Sequence, residues 1–417
     1  MLADLFSRAS KKYLSLPLFG PVMNDFSDWL EQQGYTFYSR RYYVWIVACI
    51  DEQLRRRRVK RLQDLSPLAL HDCLKAKQRR SSMAAHARFA HLLERFLTAR
   101  GILKISPQQP SSPTEIHLQS YSEYLREVRG FSPSTVQSHM RTASRFLTHL
   151  GSEAGRRRLL GIEASDLESF LQKISKGQSR GTLQHTVAEL RGFLRFLATS
   201  GKVKPGLESQ IDTPRLYRQE QLPRALPWET VQSFLQSIPR DTRRGRRDHA
   251  MFFLMATYGL RSCEVAALTL DDIQWRAGLI RVPQPKTGAR LELPLTDEVA
   301  SVLIEYLRKV PRPACYRQLF LRLSAPVGTL KPHAVTESFH TWAKRSGLDI
   351  PFYGAHCIRH SYAVHLLRQG ASLKAIGDLL GHRCAESTTV YLRLATEELR
   401  EVGLSVPQLR SKKGGRS

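Results

Sequence analysis

Residues 279–294 read Leu-Ile-Arg-Val-Pro-Gln-Pro-Lys-Thr-Gly-Ala-Arg-Leu-Glu-Leu-Pro. Leu279 to Pro283 and Arg290 to Pro294 are short stretches that alternate apolar and polar side chains, the period-two pattern of half-buried strands. Between them, Pro285-Lys286-Thr287-Gly288 supplies turn residues, so the stretch predicts a β-hairpin with Lys286 at its mobile tip. The flanking segments from Trp228 to about Val402 read as helices. Residues 225–405 therefore predict a mixed α+β domain with one small hairpin.

Upstream of a break, the chain reads as helical throughout and contains itself twice. Phe26-Ser27-Asp28-Trp29-Leu30 closing with Gly34-Tyr35 matches Tyr121-Ser122-Glu123-Tyr124-Leu125 closing with Gly130-Phe131. The run Arg55, Arg56, Arg57, Arg58 is echoed by Arg156, Arg157, Arg158, and Asp64-Leu65 through Lys75 by Asp166-Leu167 through Lys173. Arg95-Phe96-Leu97 with Gly101 and Lys104 returns as Arg195-Phe196-Leu197 with Gly201 and Lys204. Four matches in order, at an offset drifting from about 95 to 101 residues, point to a duplicated four-helix domain. In the second copy, Ser134 or Thr135 is expected to cap a helix to Leu150 whose apolar stripe is Val136, Met140, Ala143, Phe146 and Leu147. Tyr42 to Ile50 reads as a buried helix segment.

The breaks divide the chain. Pro110 to Pro113 separates the helical copies. Pro205, Pro214, Pro223 and Pro227, with Arg215, Arg218 and Arg224 among them, read as an extended basic linker. The expected domains are 1–108, 113–207 and 225–405, with a linker at 208–224 and a disordered basic tail at 406–417. The fold class is mainly α: tandem helical domains followed by the α+β domain.

Charge narrows the function. Sixty-four Lys plus Arg against 37 Asp plus Glu give +27 in 417 residues, the balance of a protein that sits against a polyanion, with nucleic acid first. No apolar run approaches a membrane span, and the N-terminus lacks a secretory h-region. The six scattered cysteines form no CxxC pair, which predicts a reducing, cytoplasmic compartment and neither zinc nor disulfides.

Six further positions carry chemistry. Gly259-Leu260-Arg261 opens a helix expected to run through Glu264 and Leu268 to Ile273, with Arg261 and Glu264 three apart so that the carboxylate orients the guanidinium. His356 and Arg359 stand at i and i+3 on a helix whose other face is apolar. Gly381-His382 ends the next helix, and Tyr391 follows nine residues later, after Ser387-Thr388-Thr389, which reads as a helix start.

With Lys286, these residues resemble the catalytic domain of the tyrosine recombinases, the phage integrase family. All six family positions are filled in family order: Arg261, Lys286, His356, Arg359, His382 and Tyr391. Residues 113–207 resemble the family's core-binding domain. The resemblance implies a site-specific recombinase that cleaves and rejoins DNA through a 3′-phosphotyrosine, with Tyr391 as nucleophile. It implies double-stranded DNA at a recombination site, a homotetramer in the synapse, with or without other recombinases, and integration, excision or resolution of a mobile element. The bacterial nucleoid is the expected location.

The chemistry suits the residues. Two arginines can clamp the non-bridging oxygens of an attacked phosphodiester. A phenol of pKa about 10 needs positive charge and a histidine to become nucleophilic. Lys286 would protonate the 5′-oxygen, with Arg290 as its competitor; His356 would assist proton transfer beside Tyr391, and His382 would bond a phosphate oxygen. No metal or other cofactor is expected, because the phosphotyrosine conserves the bond energy. His360, His365 and His249 read as structural or solvent-facing, and Tyr362 and Tyr353 lose to Tyr391 on spacing. The arginines of the two basic runs are expected to meet phosphates. The alternatives are a type IB topoisomerase, which shares the nucleophile and clamp, and a non-catalytic DNA-binding regulator that uses Ser372 to Leu380 as half of a helix-turn-helix.

Overall fold

The computed structural model describes residues 2–6, 9–65, 70, 83–103, 112–151, 159–215, 222–284, 288, 290–382, 384 and 386–394. Lys286, Arg156, Arg157, Arg158 and the tail at 406–417 lie outside them. Contacts divide the chain into two units, residues 104–220 on one hand and residues 1–103 with 221–417 on the other.

Residues 104–220 contain the helices Pro113–Glu123, continued by a π-turn at Tyr124–Val128, Pro133–Leu150, Ala164–Ser175 and Arg180–Thr199. The first is closed by a Ser112–Glu115 capping box. The second begins earlier than expected: the Ser132 side chain accepts from the Thr135 N–H and Pro133 occupies the first turn, where a missing N–H costs nothing. The stripe Val136, Ala143, Phe146 and Leu147 is buried against Tyr121, Phe170, Phe193 and Leu197. The start of the expected extended linker also folds. Leu207–Gln210 forms a 3-10 turn, Leu207 and Ile211 join this core, and the Arg191 guanidinium donates to the carbonyls of Glu208 and Ile211. Two apolar side chains between the prolines suffice to pull the segment inward.

In the other unit, the helices Met23–Gln32, Phe37–Arg56 and Met83–Ala99 share one core. Its aromatic triad has a counterpart in the 104–220 unit. Phe26 and Trp29 lie 6.4 Å apart, and Phe96 sits 5.0 and 5.7 Å from them. Tyr121 and Tyr124 are likewise 6.4 Å apart, with Phe196 at 5.1 and 5.2 Å. The turns that follow agree too: Tyr35 N–H donates to Leu30 and Phe131 N–H to Leu125, both at 3.0 Å. Tyr42 to Ile50 is only half interior. Val44, Ile46, Val47 and Ile50 are buried, whereas Tyr42 and Trp45 fall on the outer face of the 3.6-residue period and are exposed. Arg55 and Arg56 end the helix, and Arg55 to Arg58 are all exposed.

Residues 225–394 build a second core around the helix Arg243–Tyr258, packed by Trp228–Ser237, Asp297–Lys309, Pro332–Ser346 and His356–Arg368. Asp248, fully buried, anchors it by accepting from Trp342 Nε1 at 2.8 Å and from the Arg247 guanidinium. The hairpin forms with the expected bounds. Strands β2 (Leu279–Pro283) and β3 (Arg290–Pro294) pair antiparallel, with Leu279 opposite Pro294, and β1 (Ile273–Gln274) adds to β2. A two-residue pair, β4 (Leu321–Arg322) with β5 (Gly328–Thr329), stands apart. Among the described residues, no helix is long and apolar enough to cross a membrane.

Candidate active site

The helix after Gly259-Leu260-Arg261 is shorter than expected, Ser262–Ala267. It stops because the Leu268 carbonyl accepts from Leu319 N–H and the Leu270 N–H donates to Arg317, so tertiary partners replace helical ones. Arg261 is its N-cap residue. The Glu264 carboxylate reaches back to accept from the Arg261 backbone N–H at 2.7 Å and from its guanidinium Nη1 at 2.6 Å. Glu264 also lies 3.8 Å from Arg359 Nη1, so one buried carboxylate serves both arginines. Two guanidiniums and one carboxylate leave a net +1, opposite in sign to one phosphodiester.

Arg359 is 2% exposed. Its Nη1 donates to the Gly259 carbonyl and its Nη2 to the Leu380 carbonyl, each at 2.7 Å, which locks the guanidinium plane across three elements. Burial and Arg261 push its pKa down to about 10, against the pull of Glu264, so it stays charged at neutral pH. The glycines of two motifs are needed for this geometry. Gly259 has φ +63°, and a Cβ there would meet Leu380 Cδ2 at 2.6 Å; Gly381 has φ +61°, and a Cβ would meet Gln284 Nε2 at 1.9 Å.

His356 is the first residue of the helix His356–Arg368. His382 follows the Gly381 cap of Leu373–Leu380, and its Nδ1 lies 2.8 Å from Thr388 Oγ1, which leaves Nε2 for another partner. Thr388 is part of a short helix, Glu386–Thr389, that runs into a 3-10 turn, Val390–Leu394. Ser387-Thr388-Thr389 is thus inside a helix and not a cap. Thr388 is instead buried where it steadies His382.

Tyr391 is 2% exposed and packs with Ala363, Val364, Ile376 and Leu380. Its Oη lies 3.1 Å from His360 Nδ1. The reading of His360 as structural or solvent-facing is therefore corrected. Its ring stands edge-on to His356, 4.4 Å between centroids, and the His382 ring is stacked 6.4 Å from Tyr391. Of the other two histidines, His249 stacks on Phe253 and His365 on Trp228, as structural groups do.

Five of the six expected residues, Arg261, His356, Arg359, His382 and Tyr391, line one cavity of about 540 Å³ together with His360. Burial pushes His360 down to about 4, helped by His356, Arg359 and Arg224. Burial likewise brings His382 to about 4, with Arg359 and Arg261 contributing. Both rings are neutral at pH 7. The Tyr391 phenol is held above its ordinary range because burial outweighs the pull of Arg359 and Arg261. The pull of the two guanidiniums is thus smaller than the effect of burial, and the expected activation calls on a histidine as well as on positive charge.

The chain is similar to known proteins in sequence and in fold. A profile described as the phage integrase family matches residues 225–398, and one described as the phage integrase N-terminal SAM-like domain matches residues 118–201. The y4rA protein of Sinorhizobium fredii, named as an integrase/recombinase, is 35% identical over 402 residues, covering 94% of this chain and 97% of its own. Tyrosine recombinase XerD of Listeria monocytogenes is 29% identical over 290 residues, 68% of this chain and 96% of its own. In fold, the chain is similar to a lambda integrase dimer bound to a COC′ core site, with TM-score 0.53, 16% identity, and 73% and 85% of the two chains covered. It is also similar to the Tn1549 transposon integrase in complex with a circular intermediate DNA, with TM-score 0.51, 16% identity, and 68% and 99% covered.

Proposed function

The chain belongs to the phage integrase family, the tyrosine recombinases that cleave and rejoin DNA strands at specific sites, and from that premise we propose that Tyr391 is its nucleophile. In this reading Tyr391 Oη attacks the scissile phosphorus, the 3′-phosphotyrosine forms, and the bond to the 5′-oxygen breaks. Arg261 and Arg359 hold the non-bridging oxygens, where their fixed donors stabilise charge that grows in the transition state. Lys286 protonates the departing 5′-oxygen. His382 offers its free edge to a phosphate oxygen, and His356, which lines the same cavity, assists proton transfer on the Tyr391 side. The observation that carries the reading is Tyr391 lining one cavity with both arginines.

The substrate is double-stranded DNA at a specific recombination site, engaged by a homotetramer, alone or with other recombinases, in the bacterial nucleoid. Similarity in fold to a lambda integrase tetramer bound to a Holliday junction supports the assembly. The element it moves is a mobile one, as for the transposon integrase above. Residues 1–108 act as a second helical DNA-binding domain beside 113–207; the matching aromatic triads support a duplication, and Arg55 to Arg58 reach phosphates beyond the core.

The test is covalent capture. The full-length protein is incubated with a pool of nicked duplexes carrying a randomised core, and SDS-resistant adducts are recovered and sequenced. A converging sequence is the expected result; no adduct from any duplex would contradict the proposal.

A further inference from the structure

His360 stands outside the six family positions, yet its ring nitrogen lies within hydrogen-bond distance of the Tyr391 oxygen. We infer that His360 is the general base that takes the Tyr391 proton during cleavage and returns it during rejoining. This rests on the reading of Tyr391 as the nucleophile.

Three observations carry it. The first is contact: His360 Nδ1 lies 3.1 Å from Tyr391 Oη, within the reach a proton transfer requires. The second is placement. His360 follows Arg359 on the helix His356–Arg368, and both line the same cavity, so the base and the clamp move as one rigid piece. The third is the orientation of the other two histidines that line the cavity. His382 presents its ring face to Tyr391 and holds Thr388 with Nδ1, and His356 is one ring further out, against His360 itself. The neutral state of His360 agrees with the role, because an imidazolium could not accept.

The step balances. The phenol proton moves to His360 Nδ1, the Oη–phosphorus bond forms, and the phosphorus–O5′ bond breaks with its electron pair going to O5′, which takes a proton from Lys286. Cleavage thus moves one proton onto His360 and one off Lys286. Rejoining reverses both transfers. The imidazolium formed on cleavage sits beside Arg359, whose positive charge weakens its hold on the proton and favours the return.

The test uses full-length protein and a nicked duplex selected from the randomised pool, in single-turnover cleavage at saturating DNA. Because removal of a general base costs roughly 100-fold or more, His360→Ala is expected to slow cleavage by about that much. Added imidazole should recover part of the loss. His360→Gln, whose amide oxygen can keep the hydrogen bond but is no base, should stay equally slow. The defect should persist on 5′-bridging phosphorothiolate DNA, whose sulfur leaves without an acid. Near wild-type cleavage by His360→Gln would show that His360 only orients Tyr391. A defect that vanishes on the phosphorothiolate would place His360 on the leaving-group side. Either result overturns the inference. Tyr391→Phe separates it from its premise: adducts formed by that variant would remove the nucleophile itself, whereas normal cleavage by both His360 variants with Tyr391→Phe inactive would remove only the base.

Discussion

Glu264 holds Arg261 at two points, 2.6 Å to Nη1 and 2.7 Å to the backbone N–H. The carboxylate is buried, so it fixes both where the helix Ser262–Ala267 starts and where the guanidinium points. Glu264→Gln keeps the size but leaves two arginines facing each other without a counter-charge. Breaking a buried pair costs about 3 kcal/mol, and a clamp displaced by an ångström costs roughly 100-fold in rate. Denaturant melts and single-turnover cleavage should both register the loss. A Glu264→Gln protein as stable and as fast as wild type would remove Glu264 from the clamp.

Lys286→Ala should abolish cleavage of ordinary DNA and recover much of it on 5′-bridging phosphorothiolate DNA, where no proton is needed on the leaving atom. Equal defects on the two substrates would mean that Lys286 only positions the phosphate, or that Arg290 is the acid.

Stability should rise with pH between about 4 and 6.5. His249, His360 and His382 are each pushed down to about 4, chiefly by burial. In the unfolded chain they titrate near 6.5, so within that window the unfolded state binds protons that the folded state refuses, and folding loses ground as pH falls. Urea midpoints should drop steadily from pH 7 to pH 4.5 in low-salt buffer. A flat midpoint across this range would show that these rings are not held neutral.

Replacing Arg55, Arg56, Arg57 and Arg58 together by Ala tests the N-terminal helices. Each phosphate contact contributes about 0.9 to the slope of log K against log salt, so four lost contacts should lower it by about 3 to 4 and shorten the footprint. The residues are exposed, so folding should survive. If these helices meet another protomer instead of DNA, slope and footprint stay unchanged while synapsis weakens.

The hairpin was legible because period two against period 3.6 is a local signal, and Leu279–Pro283 with Arg290–Pro294 formed with the expected ends. The five described family residues were legible because motif spacing reports helix starts and caps. His360 was not. A histidine after Arg359 on a half-apolar helix has no local mark of function, and its partner is 31 residues away, brought in by the packing of Leu373–Leu380. Helix ends failed for the same reason. Leu268 and Leu270 find partners at Leu319 and Arg317, and Leu207 and Ile211 find a core that the prolines around them concealed.

The central claim is that Tyr391 becomes joined to a DNA 3′-phosphate. Its most direct test is mass spectrometry of the nuclease-trimmed, protease-digested adduct captured on a nicked duplex, run beside Tyr391→Phe, which deletes only the attacking oxygen. The account predicts a nucleotide mass on the Tyr391 peptide alone, and undiminished DNA binding with no adduct from the variant. A modified residue elsewhere, or an adduct from Tyr391→Phe, would contradict it.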